Sequence, residues 1–375
     1  MKKSLLITLD FPPYIGGVAN YYSNICKNLL PEDICVLAPN TKNTEKFDTQ
    51  QKYKIIRKQL LSSNPFAWPK WMKMIKAAKE TIRSENIETI IVGNVLPVGT
   101  VALYLKKKLD IPYYVFTHGM DITMPRGRKK VLLKKILQNA DGVFSNSKFL
   151  MNEIHQNGVE PRNIEVVYPC ANIIPDVSEI SNIELKNKYE LNNKKILLTA
   201  GRLVPRKGHN IVLRALPKIL KKHGDAHYVI AGDGPQKQEL EKITKALNIQ
   251  NNVTFTGAIE DDIMHGLLDI CDIFVMTPYK TSHNDIEGFG IVYLEASHFG
   301  KPIVATDTGG VSEAVEDNVS GILVEPKNHT AVADAIIDLL DHPNKAHRLG
   351  FQGMDRVHEM FSWERQAQKV KKILS

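Results

Sequence analysis

A chain of 375 residues that is 43% apolar and 24% charged has room for two domains of ordinary size and too much patterned apolar content for disorder. No apolar run reaches the roughly 18–20 residues that span a bilayer, and the four cysteines (Cys26, Cys35, Cys170, Cys271) are scattered without a CxxC, which points to free thiols in a reducing compartment. The net charge of +8 is placed unevenly: residues 1–172 hold 25 Lys/Arg and 14 Asp/Glu (25 − 14 = +11), and the remainder holds 24 and 27 (24 − 27 = −3). A basic half joined to a near-neutral half predicts one face that meets something anionic.

In chain order, short apolar runs alternate with amphipathic stretches. The N-terminal MKKSLLITLDFPP has two lysines and a short apolar run, but the run ends at Asp10, so it is read as a buried first strand rather than a leader. Runs follow at 34–38, 89–92, 113–117, 142–145 and 164–167. After the polar segment 172–193, which carries Pro175 and is read as a linker with one short helix, the alternation restarts at 196–200, 227–231, 253–255, 273–276, 302–305 and 321–324. Strands alternating with helices imply parallel sheets, and two such series imply two doubly wound, Rossmann-like domains over 1–172 and 190–360. The tail 361–375 reads as a helix near the domain junction. Ligands of such sheets lie beyond the carboxyl ends of the strands, so a ligand is expected in a cleft that the two domains face.

The residues just after the expected strands carry the chemistry. Gly201-Arg202-Leu203-Val204-Pro205-Arg206-Lys207-Gly208 follows the run 196–200 and precedes a helix; cations beside free helical N–H groups suit a diphosphate. A solvated basic loop is the plain alternative, and GxxxxGK[ST] is absent. Asp285-Ile286-Glu287-Gly288-Phe289-Gly290-Ile291-Val292-Tyr293-Leu294-Glu295-Ala296 sets two glutamates eight positions apart around a glycine-flanked turn. If a helix starts near Gly290, its first N–H groups suit phosphate and each carboxylate suits sugar hydroxyls. Thr117-His118-Gly119-Met120-Asp121 puts a histidine at a strand end, and Pro12-Pro13-Tyr14-Ile15-Gly16-Gly17 puts paired glycines before a helix. Gly234 and Ile259 follow two further strands, where turns are the ordinary reading, and Thr308-Gly309-Gly310 follows a third.

Taken together, DFPPYIGGV, THG, GRLVPRKG, DIEGFGIVYLEA and the TGG loop resemble the family-4 retaining glycosyltransferases of the GT-B fold, over nearly the whole chain. Within that family the chain is similar to bacterial mannosyltransferases of the phosphatidylinositol monomannoside type, which use GDP-mannose. The resemblance implies an α/β, GT-B architecture and a nucleotide-sugar donor, with no metal or other cofactor. It implies that Arg202 and Lys207 hold the donor diphosphate, Glu287 and His118 contact the transferred sugar, and Glu295 binds the ribose. Gly16, Gly17, Gly201, Gly234, Ile259, Gly288, Phe289, Gly290, Ile291 and Val292 would line the donor. Met120-Asp121 after the histidine and a basic loop at 124–135 depart from those relatives on the acceptor side.

No DxD occurs, so no metal clamp is expected. The acceptor is read as lipid-linked or glycan, with the enzyme peripheral on the inner face of the cytoplasmic membrane. The basic stretches 69–83 and 129–138 would lie on an anionic surface, although a core-packed helix with a solvated lysine face fits each of them. A UDP-sugar donor and a non-hydrolysing epimerase are rivals of the same fold. A nucleic-acid-binding protein is the rival of another class; it would interleave aromatics with the basic patch, and they are not clustered there.

Overall fold

The computed structural model describes residues 1–14, 16–64, 66, 68–172 and 181–375, so Ile15 and residues 173–180 of the expected linker, with Pro175, lie outside the described residues. The chain divides into two compact units, Met1–Pro169 with Ser362–Ser375, and Cys170–Phe361.

The first unit is a seven-stranded parallel sheet of β1 (Ser4–Ile7), β2 (Ile34–Pro39), β3 (Lys54–Lys58), β4 (Thr89–Val92), β5 (Tyr113–Thr117), β6 (Gly142–Ser145) and β7 (Ile164–Val166), in the order β3-β2-β1-β4-β5-β6-β7. Alternation within β1 explains why the sheet is covered on both faces. Leu5 and Ile7 enter one buried cluster with Val92 and Val115, and Leu6 enters the other with Ile91 and Phe116. β3 is the strand that no apolar run announces. Its KIIRK has lysines at both ends and only half-buried residues between, as suits an edge strand with one neighbour.

The two basic amphipathic stretches turn their apolar faces inward. In the helix Met72–Glu85, Met74, Ala77, Ala78 and Ile82 are buried; in Arg128–Asn139, Leu133, Ile136 and Leu137 are buried. The lysines form the solvated sides. Among the described residues no helix is long and apolar enough to cross a membrane.

The second unit is a six-stranded parallel sheet of β8 (Lys195–Ala200), β9 (Ala226–Ala231), β10 (Val253–Gly257), β11 (Ile273–Met276), β12 (Ile303–Thr306) and β13 (Gly321–Val324), in the order β10-β9-β8-β11-β12-β13. The chain reverses its direction of winding at β1/β4 in the first sheet and at β8/β11 in the second. Crevices open at such points because the loops leaving the two strands diverge. Every motif singled out above belongs to a segment that leaves a strand's carboxyl end.

The C-terminal helix Trp363–Ile373 belongs to the first unit. It packs on the helix Gly17–Lys27, with the Trp363 ring edge-on to Tyr21 at 5.5 Å. Buried Gln366 accepts from the Tyr168 N–H at 3.0 Å, and Lys369 donates to the Val166 carbonyl at 2.7 Å. Gln366→Leu keeps the volume and removes that acceptor from a buried position. It should destabilise the first unit by about 1–3 kcal/mol. Trp68, Trp71 and Trp363 all lie in this unit, so fluorescence-detected denaturant unfolding reads it; an unmoved midpoint would refute the tether.

Candidate active site

In the second unit the loop after β8 is built by close approach. Gly201 donates its N–H to the Ala231 carbonyl and Leu203 to that of Asp233. A Cβ on Gly234 would lie 2.6–2.7 Å from Leu203 backbone atoms, so glycine is what lets the β8 and β9 loops touch. The loop then makes a single 3-10 turn, Pro205–Lys207, and enters the helix His209–Lys222 through Gly208 at φ +74°. A side chain at Gly208 would strike the Thr277 carbonyl, and the Thr277 hydroxyl donates to the Gly208 carbonyl at 2.9 Å. The Tyr279 N–H donates to the Arg206 carbonyl at 3.0 Å. The segments after β8 and β11 are thereby sewn together.

The contacts place Lys207 Nζ 2.7 Å from Glu287 Oε2, with both side chains nearly buried. Beside them, Arg206 Nε lies 3.1 Å from Asp285 Oδ1, and Arg206 Nη1 lies 3.9 Å from Glu287 Oε2. Asp285 and Glu287 flank buried Ile286, and both carboxylates reach Arg206. Burial pushes the Glu287 carboxyl up, but the Lys207 ammonium and the Arg206 guanidinium outweigh it and hold it below its ordinary range. The loop's other side is locked by Gly309 and Gly310. The Gly310 N–H donates to the Glu287 carbonyl at 3.1 Å, and a Cβ on either glycine would meet the carbonyl of Glu287 or Gly288 at 2.1 Å.

Gly290, at φ +92°, opens the helix Ile291–His298, which has no side-chain cap. The Tyr293 N–H donates to the Gly290 carbonyl at 3.1 Å, so the N–H groups of Ile291 and Val292 are the ones left to an incoming acceptor. They belong to the turn that carries Glu287, whose Cγ is 3.8 Å from where a Cβ on Gly290 would stand. Gly288 and Phe289 offer this turn backbone only: the Phe289 ring is buried, 5.7 Å from that of Phe361. Ile291 and Val292 are half-buried in the first helical turn. Glu295, one turn on, is half-buried. Burial, then the nearby Asp261 charge, raises its carboxyl to about 7, against the pull of the Asn172 N–H and of Lys207.

Of the four charged residues expected to meet on the donor, two are in direct contact. Lys207 and Glu287 are in contact, and Lys207 acts electrostatically on Glu295, but exposed Arg202 makes no ion pair among the described residues. Ile259 is half-buried beyond β10. Arg206, Asp285 and His209 belong to the site, although the sequence reading assigned them no role. His209 opens its helix buried, with both ring nitrogens unpartnered among the described residues. Burial and the neighbouring Lys207 charge lower it to about 3, so it is neutral. The adjacent cations in PRKG and the i, i+2 carboxylates in DIE were the available signals.

The first unit carries a separate polar cluster at its own switch point. His118, after β5, rests among the rings of Tyr21, Tyr22 and Phe116. The Tyr22 hydroxyl reaches both the Gly93 carbonyl and His118 Nε2. Burial lowers the imidazole to about 3, which leaves it a neutral hydrogen-bonding group. Asp121, set aside above as a departure from the relatives, is a local organiser. Its carboxylate accepts from the N–H groups of His118 and Gly119 at 3.0 and 2.8 Å. Asn94, after β4, donates to Asp10 at 2.7 Å and accepts from the Leu9 N–H at 2.8 Å. Gly16 and Gly17 open the helix Gly17–Lys27, again without a side-chain cap.

Comparison with known proteins covers both units. The Glycosyltransferase Family 4 model matches residues 15–173, and the Glycosyl transferases group 1 model matches residues 181–356. The chain is 28% identical to the GDP-mannose-dependent α-(1-6)-phosphatidylinositol monomannoside mannosyltransferase of Mycobacterium tuberculosis, with 100% of this chain and 98% of that protein covered. It is also 28% identical, over 100% of this chain and 98% of the relative, to the GDP-mannose-dependent monoacylated α-(1-6)-phosphatidylinositol monomannoside mannosyltransferase of Corynebacterium glutamicum. In fold it is similar to the crystal structure of HepE from Anabaena in complex with UDP, with a TM-score of 0.83 at 20% identity over 100% of this chain and 99% of that one. With a matching model over each half and two doubly wound sheets, the chain belongs to the family-4 glycosyltransferases and has the GT-B fold.

Proposed function

We propose that this glycosyltransferase moves a hexose, mannose from GDP-mannose, onto a lipid-linked or glycan acceptor with retention of anomeric configuration. The observation that carries this reading is the Lys207–Glu287 pair at the β8/β11 switch point, set beside the uncapped N-terminus of the helix Ile291–His298. A cation next to unclaimed helical N–H groups suits a diphosphate, and an ionised carboxylate suits the hydroxyls of a sugar. The choice of GDP-mannose comes from the two mannosyltransferases above.

In the proposed reaction the bond between the sugar C1 and the diphosphate oxygen breaks while a bond from C1 to the acceptor oxygen forms on the same face. The acceptor's proton passes to the departing phosphate oxygen, so no enzymic nucleophile and no metal is required. Lys207, the helix N–H groups and exposed Arg202 receive the charge that builds on the diphosphate. Glu287 takes sugar hydroxyls, the backbone from Gly288 to Ile291 takes sugar and phosphate, and Glu295 takes the ribose. Val292, Gly201, Gly234 and Ile259 complete the donor side. His118, Gly16 and Gly17 are assigned to the sugar and acceptor from the first unit.

The membrane reading keeps only part of the stretch 69–83, because most of the apolar residues of both basic helices are spent on the core. Exposed there are Phe66 at 92% and Trp68 at 88%, with Met72, near Lys70, Lys73 and Lys76 in the chain, and Val131 is exposed on the second basic helix. Aromatic and basic groups together suit the headgroup layer of an anionic leaflet.

Calorimetry against GDP, UDP and ADP, followed by transfer assays with the matching sugar donors, tests the donor; a preference for UDP or ADP would refute the GDP assignment. Lys207→Ala should lower kcat about 10²–10³-fold with the fold intact, as expected on losing a donor to a developing anion, and unchanged turnover would remove Lys207 from this role. The pH dependence follows from Glu295. With its carboxyl at about 7, the ionised acceptor is fully present above that pH and is lost as pH falls. GDP-mannose has no phosphate titrating there, so its affinity should drop up to about tenfold per pH unit below 7. Glu295→Gln should flatten that slope; a slope that survives the substitution would exclude Glu295.

A further inference from the structure

We propose that Arg206 is a positioning residue that stays with Glu287 as its counter-charge when Lys207 turns to the donor diphosphate, an inference that rests on the transfer reading above. An ammonium 2.7 Å from a carboxylate has its charge already matched. An arriving diphosphate draws that ammonium away, and Glu287 would then be a buried anion without a partner, which is costly. Arg206 stands ready on the same oxygen, with Nη1 3.9 Å from Glu287 Oε2.

The guanidinium also has capacity left. Arg206 Nη1 is buried and makes no hydrogen bond among the described residues, while Nε faces Asp285 Oδ1 at 3.1 Å, so the donor nearest Glu287 is unspent. A small rotation closes the gap to Glu287. Its base does not move with it. The Arg206 carbonyl is held by the Tyr279 N–H, and Asp285 is held through its N–H to the Thr281 hydroxyl at 3.2 Å. The other titratable group facing Glu287 is Tyr293, from the helix Ile291–His298. Burial and the Glu287 charge keep its phenol neutral, and its hydroxyl donates to the Met276 carbonyl at 3.0 Å. That leaves Arg206 as the cation next to Glu287 once Lys207 is engaged.

The first test needs no ligand. Infrared difference spectra of Lys207→Ala against Lys207→Ala/Glu287→Gln at pH 7 should show a carboxylate band for Glu287, held ionised by Arg206. A protonated carboxyl band would overturn the proposal, and this holds even if no Arg206 variant folds. The second test separates binding from turnover. Arg206→Met should leave the GDP affinity within about threefold, lower kcat at least about tenfold and move the acid limb of the kcat profile to higher pH by about one unit, with Arg206→Lys restoring kcat and the limb. Loss of GDP affinity comparable to that of Lys207→Ala would make Arg206 a diphosphate ligand and overturn the proposal; so would an unchanged kcat and limb. A wild-type protein that transfers no sugar would refute the transfer reading, while the spectra still decide whether Arg206 is the counter-charge.

Discussion

The second unit is organised around one constraint: four ionised side chains drawn together at a largely buried place must leave no charge unmatched. Lys207 and Arg206 come from the turn after β8, and Asp285 and Glu287 come from the segment after β11. Two positive and two negative groups cancel, and each pair spans the two segments rather than lying within one. Desolvation alone would raise the Glu287 carboxyl; the opposing cations reverse the sign of its shift. The site thus holds a permanent anion in surroundings that ordinarily forbid one, and such an anion can order sugar hydroxyls by direction as well as by proximity.

Holding that arrangement takes backbone contacts closer than side chains allow. Gly208 lies against the Thr277 carbonyl, and Gly309 and Gly310 lie against the carbonyls of Glu287 and Gly288. Three loops leaving β8, β11 and β12 are therefore fixed to one another through main-chain atoms. A site built this way has little freedom to adjust its scaffold to a ligand. What can move is the set of long side chains at its surface, which is why a reassignment of Lys207 between carboxylate and diphosphate fits this geometry better than a loop rearrangement.

Much of this was readable from the chain because parallel sheets buried on both faces are written as short continuous apolar runs. Twelve of the thirteen strands among the described residues announce themselves in that way, and the exception, β3, is an edge strand whose two isoleucines sit between charged residues. Lys207 and Glu287 were legible because each lies in a loop after a strand and is followed by a glycine. Their neighbours Arg206 and Asp285 were not. Their pairing joins residues 79 positions apart (285 − 206), and it depends on β8 lying beside β11, an adjacency that no local pattern records. The basic helices show the same limit from the other side. Apolar residues at helical spacing look alike whether they face a core or a membrane, and only the fold shows that Met74 and Leu133 are buried.

The titration behaviour of the candidate residues bears on where a proton can go. An acceptor hydroxyl must lose its proton as it attacks, and an enzymic base would need a pKa near the working pH and a free lone pair. His118, lowered to about 3, is neutral but far too weak a base to hold a proton at neutral pH. Glu287 is held below the ordinary carboxylate range by two cations, so protonating it would cost the pairing that positions it. Glu295, at about 7, is suitably poised, yet it stands a full helical turn beyond the Glu287 segment and is the residue assigned to the ribose. The groups assigned to the sugar are thus hydrogen-bonding groups rather than proton acceptors. In the proposed reaction that leaves the departing phosphate oxygen, which gains basicity as the C1–O bond breaks and lies on the face from which the acceptor must come for configuration to be kept.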